Sequence, residues 1–226
     1  AQDLLHDVIK EARSLGWVQW LAFLTGLVYI YFATRSDARC WIWGILSSAL
    51  WAYTSWFQLN LLSDSILQMI YVVLGVWGLY SWRIKKNKTT LPVSHCSPSQ
   101  LILYLFVGAI FSIALGQFMK STQAAFPMLD AALTVFSVIA TIMLIKQQIE
   151  NWIFWIVINL VSIPVFIIRD GHLFALLFLI YFVLSIKGWK EWQQLLESML
   201  PDEGTWPNPP ISLKFASLHC ILHFNL

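Results

Sequence analysis

Charge is what this chain has little of. Only 12% of its 226 residues are Asp, Glu, Lys or Arg, about half the share of an ordinary soluble domain, while 58% are hydrophobic and the mean hydropathy is +0.68. A soluble globular domain is thereby excluded, and an integral membrane protein is specified. The net charge of +2 gives no basis for a nucleic-acid partner. Cysteine is scarce too: Cys40, Cys96 and Cys220 form no close pair, so neither a disulfide framework nor a four-cysteine metal site is suggested. There is no Gly-rich phosphate loop with its Lys and no His-Glu metalloprotease signature. Nor is a secretory signal expected, because residues 2–13 carry mixed charges and no small-residue cleavage pattern comes after them.

What is there is apolar length. Uncharged runs recur at 17–34, 40–57, 66–82, 101–118, 131–145, 152–168 and 172–186. At about 1.5 Å per helical residue such runs cross or nearly cross a hydrocarbon core of about 30 Å. Seven transmembrane helices are expected. Tryptophan, at 13 residues, lies mostly at the ends of the runs, where an interfacial belt would put it. Ahead of the first span, Leu4, Leu5, Val8, Ile9 and Ala12 share a helical face opposite Asp3, Asp7, Lys10 and Glu11, which suits a helix lying on the membrane surface.

The segment Trp41–Trp82 lines up with Trp152–Trp192, matching Trp41 with Trp152, Tyr71 with Tyr181, Gly78 with Gly188 and Trp82 with Trp192. Three spans per copy would turn the second copy upside down, and the extra span at 101–118 restores its direction. The expected fold is therefore an all-α membrane protein of two parallel three-helix repeats joined by a linker helix. Its expected parts are an interfacial helix at 1–16, a first repeat at 17–82, a loop and linker helix at 83–128, a second repeat at 129–192 and a cytoplasmic tail at 193–226. Sorting Lys and Arg by side puts four on one face (Lys10, Arg13, Lys120, Arg169) and ten on the other. The richer face belongs in the cytoplasm, so the amino terminus is expected outside and the carboxyl terminus inside.

No charged residue falls mid-span; Asp64, Asp130, Arg169 and Asp170 stand at or beyond span ends. Proton relays and charge-coupled pumps need ionisable groups within the bilayer, so passive conduction is the better expectation. Asn159 is the exception to apolar monotony in its span, with Pro164 five residues on, where a helix hydrogen bond is lost and a bend is expected. An amide at that depth serves either as ligand contact or as glue between helices. Trp152 and Trp155 stand on the same helical side as Asn159, one suiting a site and the other the belt. Gln68, at the start of the third span, is a weaker candidate of the same kind. Aromatic faces with neutral amides suit a flat, even cationic, ring joined to a hydroxyl-rich sugar. A phosphate would lack its Arg or Lys clamp, so the unphosphorylated compound is expected. The tail residues His219, Cys220 and His223 have metal-ligand spacing without a fourth ligand, and no nucleophile–base or metal constellation supports a membrane enzyme. No cofactor is expected.

The two repeats, NWIFWIVIN with the adjoining SIP, DSILQMIY, and the helix ends GLYSW and GWKEW together resemble the PnuC-type vitamin transporters, the nicotinamide riboside transporter family, over residues 17–192. The resemblance implies a seven-helix fold similar to SWEET sugar transporters, a bacterial inner-membrane location, a homotrimer, and facilitated diffusion of nicotinamide riboside with trapping by a cytoplasmic kinase. It also implies Gln68, Tyr71, Trp152, Trp155, Asn159 and Tyr181 as substrate-binding residues. Relatives in the family carry thiamine, riboflavin or deoxynucleosides, and these stay open as substrates. A seven-helix receptor or scaffold that binds without moving its ligand is the alternative from another class.

Overall fold

The computed structural model describes residues 2–58, 62–85, 93–120 and 126–199, and these are helical throughout apart from turns and one isolated bridge between Ser94 and Gln148. The helices are α1 (Gln2–Ser14), α2 (Trp17–Thr34), α3 (Arg39–Tyr53), α4 (Leu62–Lys85), α5 (Pro98–Met119), α6 (Pro127–Ile145), α7 (Asn151–Ile168) and α8 (His172–Met199). Among the described residues six are long and apolar enough to cross a membrane: α2, α4, α5, α6, α7 and α8. The run expected at 40–57 divides into the 15-residue α3 and a π-helical turn, Thr54–Gln58, that carries it on. A π turn widens the helix locally and rotates the side chains beyond it. Past Trp192, α8 continues to Met199. The loop lysines Lys86 and Lys88, Lys214 and the His219, Cys220 and His223 cluster lie outside the described residues.

Helix starts are set by local chemistry. At α5, Ser97 Oγ accepts from Gln100 N (3.3 Å), Gln100 Oε1 accepts from Ser97 N (3.3 Å) and Pro98 opens the first turn, a capping box with proline where no donor is needed. The amino terminus of α8 is capped from another helix: Glu11 of α1 accepts from the His172 and Leu173 amides at 3.0 and 2.8 Å. That contact ties α1 to the start of α8.

The turns α2–α3 and α6–α7 share their two chain-reversing bonds. Ser36 N donates to Ala33 O and Asp37 N to Phe32 O; 111 residues on, Gln147 N donates to Leu144 O and Gln148 N to Met143 O. The residues that reverse the chain, Ser36 (φ 52°) and Gln147 (φ 57°), both adopt left-handed backbone. Gln147 Nε2 even reaches Ser36 Oγ at 3.5 Å.

One layer of tryptophan gathers the helix ends. Trp41 and Trp152, near the starts of α3 and α7, stand edge-on to Trp82 and Trp192, near the ends of α4 and α8, with ring centroids 5.4 and 5.6 Å apart. Trp82 and Trp192 touch each other at 6.3 Å. The Trp82 indole N–H donates to the Ile145 carbonyl at the end of α6 (3.0 Å), and the Trp192 N–H to the Ala33 carbonyl near the end of α2 (3.1 Å). All four rings are buried. At the opposite level Asp130, in the first turn of α6, accepts from Arg169 at the end of α7 (2.7 and 2.8 Å), and the π-turn Ser55 bonds Asp64 in the first turn of α4. Between lipid-soluble helices the drive is close packing and satisfied polar groups rather than the hydrophobic effect. Accordingly Gly78 and Gly188 leave the space that the Trp41 and Trp152 rings fill. The outward faces of α4 and α5 carry large exposed apolar side chains such as Val73, Trp77, Phe106 and Phe111, which suit acyl chains.

Candidate functional site

Between the tryptophan layer and the Asp130–Arg169 level lies a cavity of about 690 Å³, lined from α2, α3, α4, α6, α7 and α8. That volume is in the range of small-molecule sites. Gln68, Tyr71, Trp152, Trp155, Asn159 and Tyr181 all line it. They arrive from three helices: Gln68 and Tyr71 one helical turn apart on α4, the Trp152, Trp155 and Asn159 stripe on α7, and Tyr181 on α8.

Asn159 is 2% exposed and its Nδ2 donates to Ser185 Oγ on α8 (3.1 Å), while Ser185 Oγ donates to the Tyr181 carbonyl (2.7 Å). The amide is thus held by one of its hydrogens and joins α7 to α8 while lining the cavity. The helix runs on unbroken through Pro164.

The two tyrosines are placed by contacts to other helices, Tyr71 on α4 to α6 and Tyr181 on α8 to α2. Tyr71 OH bonds Ser137 Oγ on α6, and since Ser137 gives its own proton to the Thr134 carbonyl (2.8 Å), the phenol is the donor. Tyr181, aligned with Tyr71, sets its OH against Gly26 on α2, 111 residues before Ser137; a Cβ at Gly26 would stand 2.7 Å from that oxygen. Where α6 supplies a hydroxyl to Tyr71, α2 supplies space to Tyr181.

At the tryptophan end, the ring N–H groups of Trp41 and Trp152 are buried without a hydrogen-bond partner, in contrast to those of Trp82 and Trp192. A buried donor left unmade costs about 1–3 kcal/mol. Trp41, Tyr29, Trp51 and Phe178 also line the cavity and are not among the site residues expected from the sequence. For Trp41 a signal exists, since the repeat aligns it with Trp152; Tyr29 has no aromatic mate and nothing in the sequence marks it. Asp64, Asp130 and Arg169 are the only charged residues in the described lining. Asp130 and Arg169 compensate each other as an ion pair.

The described residues hold no group of His, Cys, Asp and Glu able to ligate a metal. Beside its charged groups the cavity offers ring faces, hydroxyls and amides, a set able to hold a small solute. Such a chamber within a bundle of membrane-length helices belongs to a multi-pass membrane transporter.

The chain belongs to the nicotinamide mononucleotide transporter family, whose pattern matches residues 16–194. It is a transporter, then, and not an enzyme. Similar relatives include the nicotinamide riboside transporter PnuC of Escherichia coli (strain K12), 22% identical over 206 residues, with 79% of this chain and 86% of that one covered. That of Neisseria mucosa is 23% identical, with 85% of this chain and 78% of the relative covered. The fold is similar to a crystal structure of the vitamin B3 transporter PnuC, with a TM-score of 0.68, 21% identity, and coverage of 87% of this chain and 91% of that chain.

Proposed function

We propose that this chain carries nicotinamide riboside across a bacterial inner membrane by facilitated diffusion, and that a separate cytoplasmic kinase traps the product by phosphorylation. The observation that carries the reading is the cavity itself: Gln68, Tyr71, Trp152, Trp155, Asn159 and Tyr181 line a common chamber whose ring faces and amides suit a pyridinium ring bearing a ribose. The names of the relatives supply the substrate. A phosphate is a poor fit, because the one basic side chain among the described lining residues, Arg169, is already engaged by Asp130, and phosphate recognition wants a free Arg or Lys. The riboside is therefore preferred to the mononucleotide of the family's description.

In this reading 17–82 and 129–192 are two like-oriented triplets joined by the linker at 83–128, with α3 and its π turn as the seventh span. The matched turns at Ser36 and Gln147 and the meeting of the ends of α2, α4, α6 and α8 at the tryptophan layer support it. The amino terminus lies outside, the carboxyl terminus inside, and three copies associate. Alternating access then opens the chamber to one side at a time.

Purified protein in liposomes, with no ion or pH gradient, is expected to take up labelled nicotinamide riboside until inside and outside concentrations match. A strict proton or sodium requirement would sink the facilitated-diffusion reading. Saturable binding with no flux would make the chain a receptor, and competition by thiamine, riboflavin or a deoxynucleoside in place of the riboside would reassign the substrate.

A further inference from the structure

Among the described residues the charges of the lining do not cancel. Asp130 and Arg169 neutralise each other, which leaves Asp64. Among the described residues Asp64 has no basic partner; its carboxylate is held by Ser55 Oγ, which donates to Oδ2. Ser55 is 1% exposed and sits in the π turn, the one place where α3 departs from regular helix. A π turn of this kind re-aims the side chains it carries, and such turns recur at functional positions. Asp64 also shares a face of α4 with Gln68, Tyr71 and Gly75, at spacings of four, seven and eleven residues, and all four line the cavity. A carboxylate is thus oriented one turn from Gln68 along a stripe of lining residues.

We propose that Asp64 sets the charge specificity of the chamber, favouring a monocationic solute over neutral and anionic ones of the same shape. This rests on the reading of the cavity as the transport site. An unpaired carboxylate in a partly water-excluded chamber lowers the free energy of any cation that enters, and the attraction acts over the width of the site because screening there is weak. The aromatic faces add a cation–π component that does not depend on Asp64. The two contributions differ in origin, so a mutation separates them.

The probes are nicotinamide riboside, whose ring is a pyridinium cation, and its dihydro form, which is neutral and nearly the same shape. Binding of each is measured by calorimetry on the purified full chain, wild type and Asp64→Asn. Wild type is expected to prefer the cation. In Asp64→Asn the cation-to-neutral affinity ratio should fall by about tenfold, with the neutral ligand held within about twofold, as expected for loss of one charge acting across the chamber in a medium of intermediate dielectric. Asp64→Glu, which keeps the charge, should keep the ratio. Should Asp64→Asn fail to fold, Asp64→Ser reads the same ratio. Equal weakening of both ligands, or no change in either, overturns the proposal by making Asp64 a structural partner of Ser55 alone. If wild type binds neither ligand, the transport-site reading itself fails and this inference falls with it; if it binds both and the ratio ignores Asp64, only this inference falls.

Discussion

Gly188 lies so close to Trp152 that a Cβ built on it would stand 2.7 Å from the indole ring carbons. The glycine of α8 therefore sets where the first aromatic of the α7 stripe can lie. Gly188→Ala must push the ring off its seat, at a cost of about 1–3 kcal/mol for overpacking a tight site. Thermal unfolding in detergent should report that loss, and titration with nicotinamide riboside should report weaker binding. Lost stability with unchanged affinity would leave Trp152 as packing alone.

The paired indole bonds Trp82 to Ile145 and Trp192 to Ala33 join α4 to α6 and α8 to α2. Trp82→Phe or Trp192→Phe keeps most of the ring packing and removes a buried donor, so each should cost about 1–3 kcal/mol. Because the two rings touch at 6.3 Å, the double mutant should depart from the sum of the singles by about 0.5 kcal/mol or more. Additive effects would mean that the two bonds act as separate ties rather than as one closure.

Much of this architecture is readable from the residues, and the reasons differ by element. Spans such as α6 and α7 declare themselves because lipid tolerates no unpaired backbone, so apolar length alone specifies a helix. Trp41 with Gly78 and Trp152 with Gly188 stand out in the sequence as matched pairs, and each ring packs on its glycine because the two are complementary. The π turn after Tyr53 is not legible, since Thr54–Gln58 continues the same apolar run and nothing in its composition signals a change of helical period. Asp64 reads from sequence as a span end. It does stand in the first turn of α4, but a cavity that reaches that level brings it into the lining. Tyr29 and Trp51 depend on how helices rotate against one another, which a single stretch of sequence does not encode locally.

Outside the spans, His95 Nδ1 meets Glu150 Oε1 at 2.9 Å, while Glu150 Oε2 accepts from the Cys96 amide at 2.8 Å. The hydrogen bond to Glu150 raises the His95 pKa above its ordinary 6.5, against a smaller opposing effect of burial. A histidine whose folded pKa is raised adds stability that is fully present below 6.5 and is lost as pH rises through the higher folded value. His95 is partly exposed, so the effect should stay under about 1 kcal/mol. Melting temperature measured across that window should decline slightly for wild type and flatten for His95→Gln. A wild-type profile no steeper than that of His95→Gln would count against the pairing.

The central claim is that the chamber between the tryptophan layer and the Asp130–Arg169 pair is where the substrate rests, and Asn159 offers the most direct test of it. Asn159→Leu suits the bilayer, and Ser185 keeps its bond to the Tyr181 carbonyl, so the fold should persist. Calorimetric titration of nicotinamide riboside into wild type and Asn159→Leu is predicted to show a loss of about 1–3 kcal/mol in binding, the worth of a buried hydrogen bond left unmade. Equal affinities in the two proteins would contradict the claim and leave Asn159 as the tie between α7 and α8.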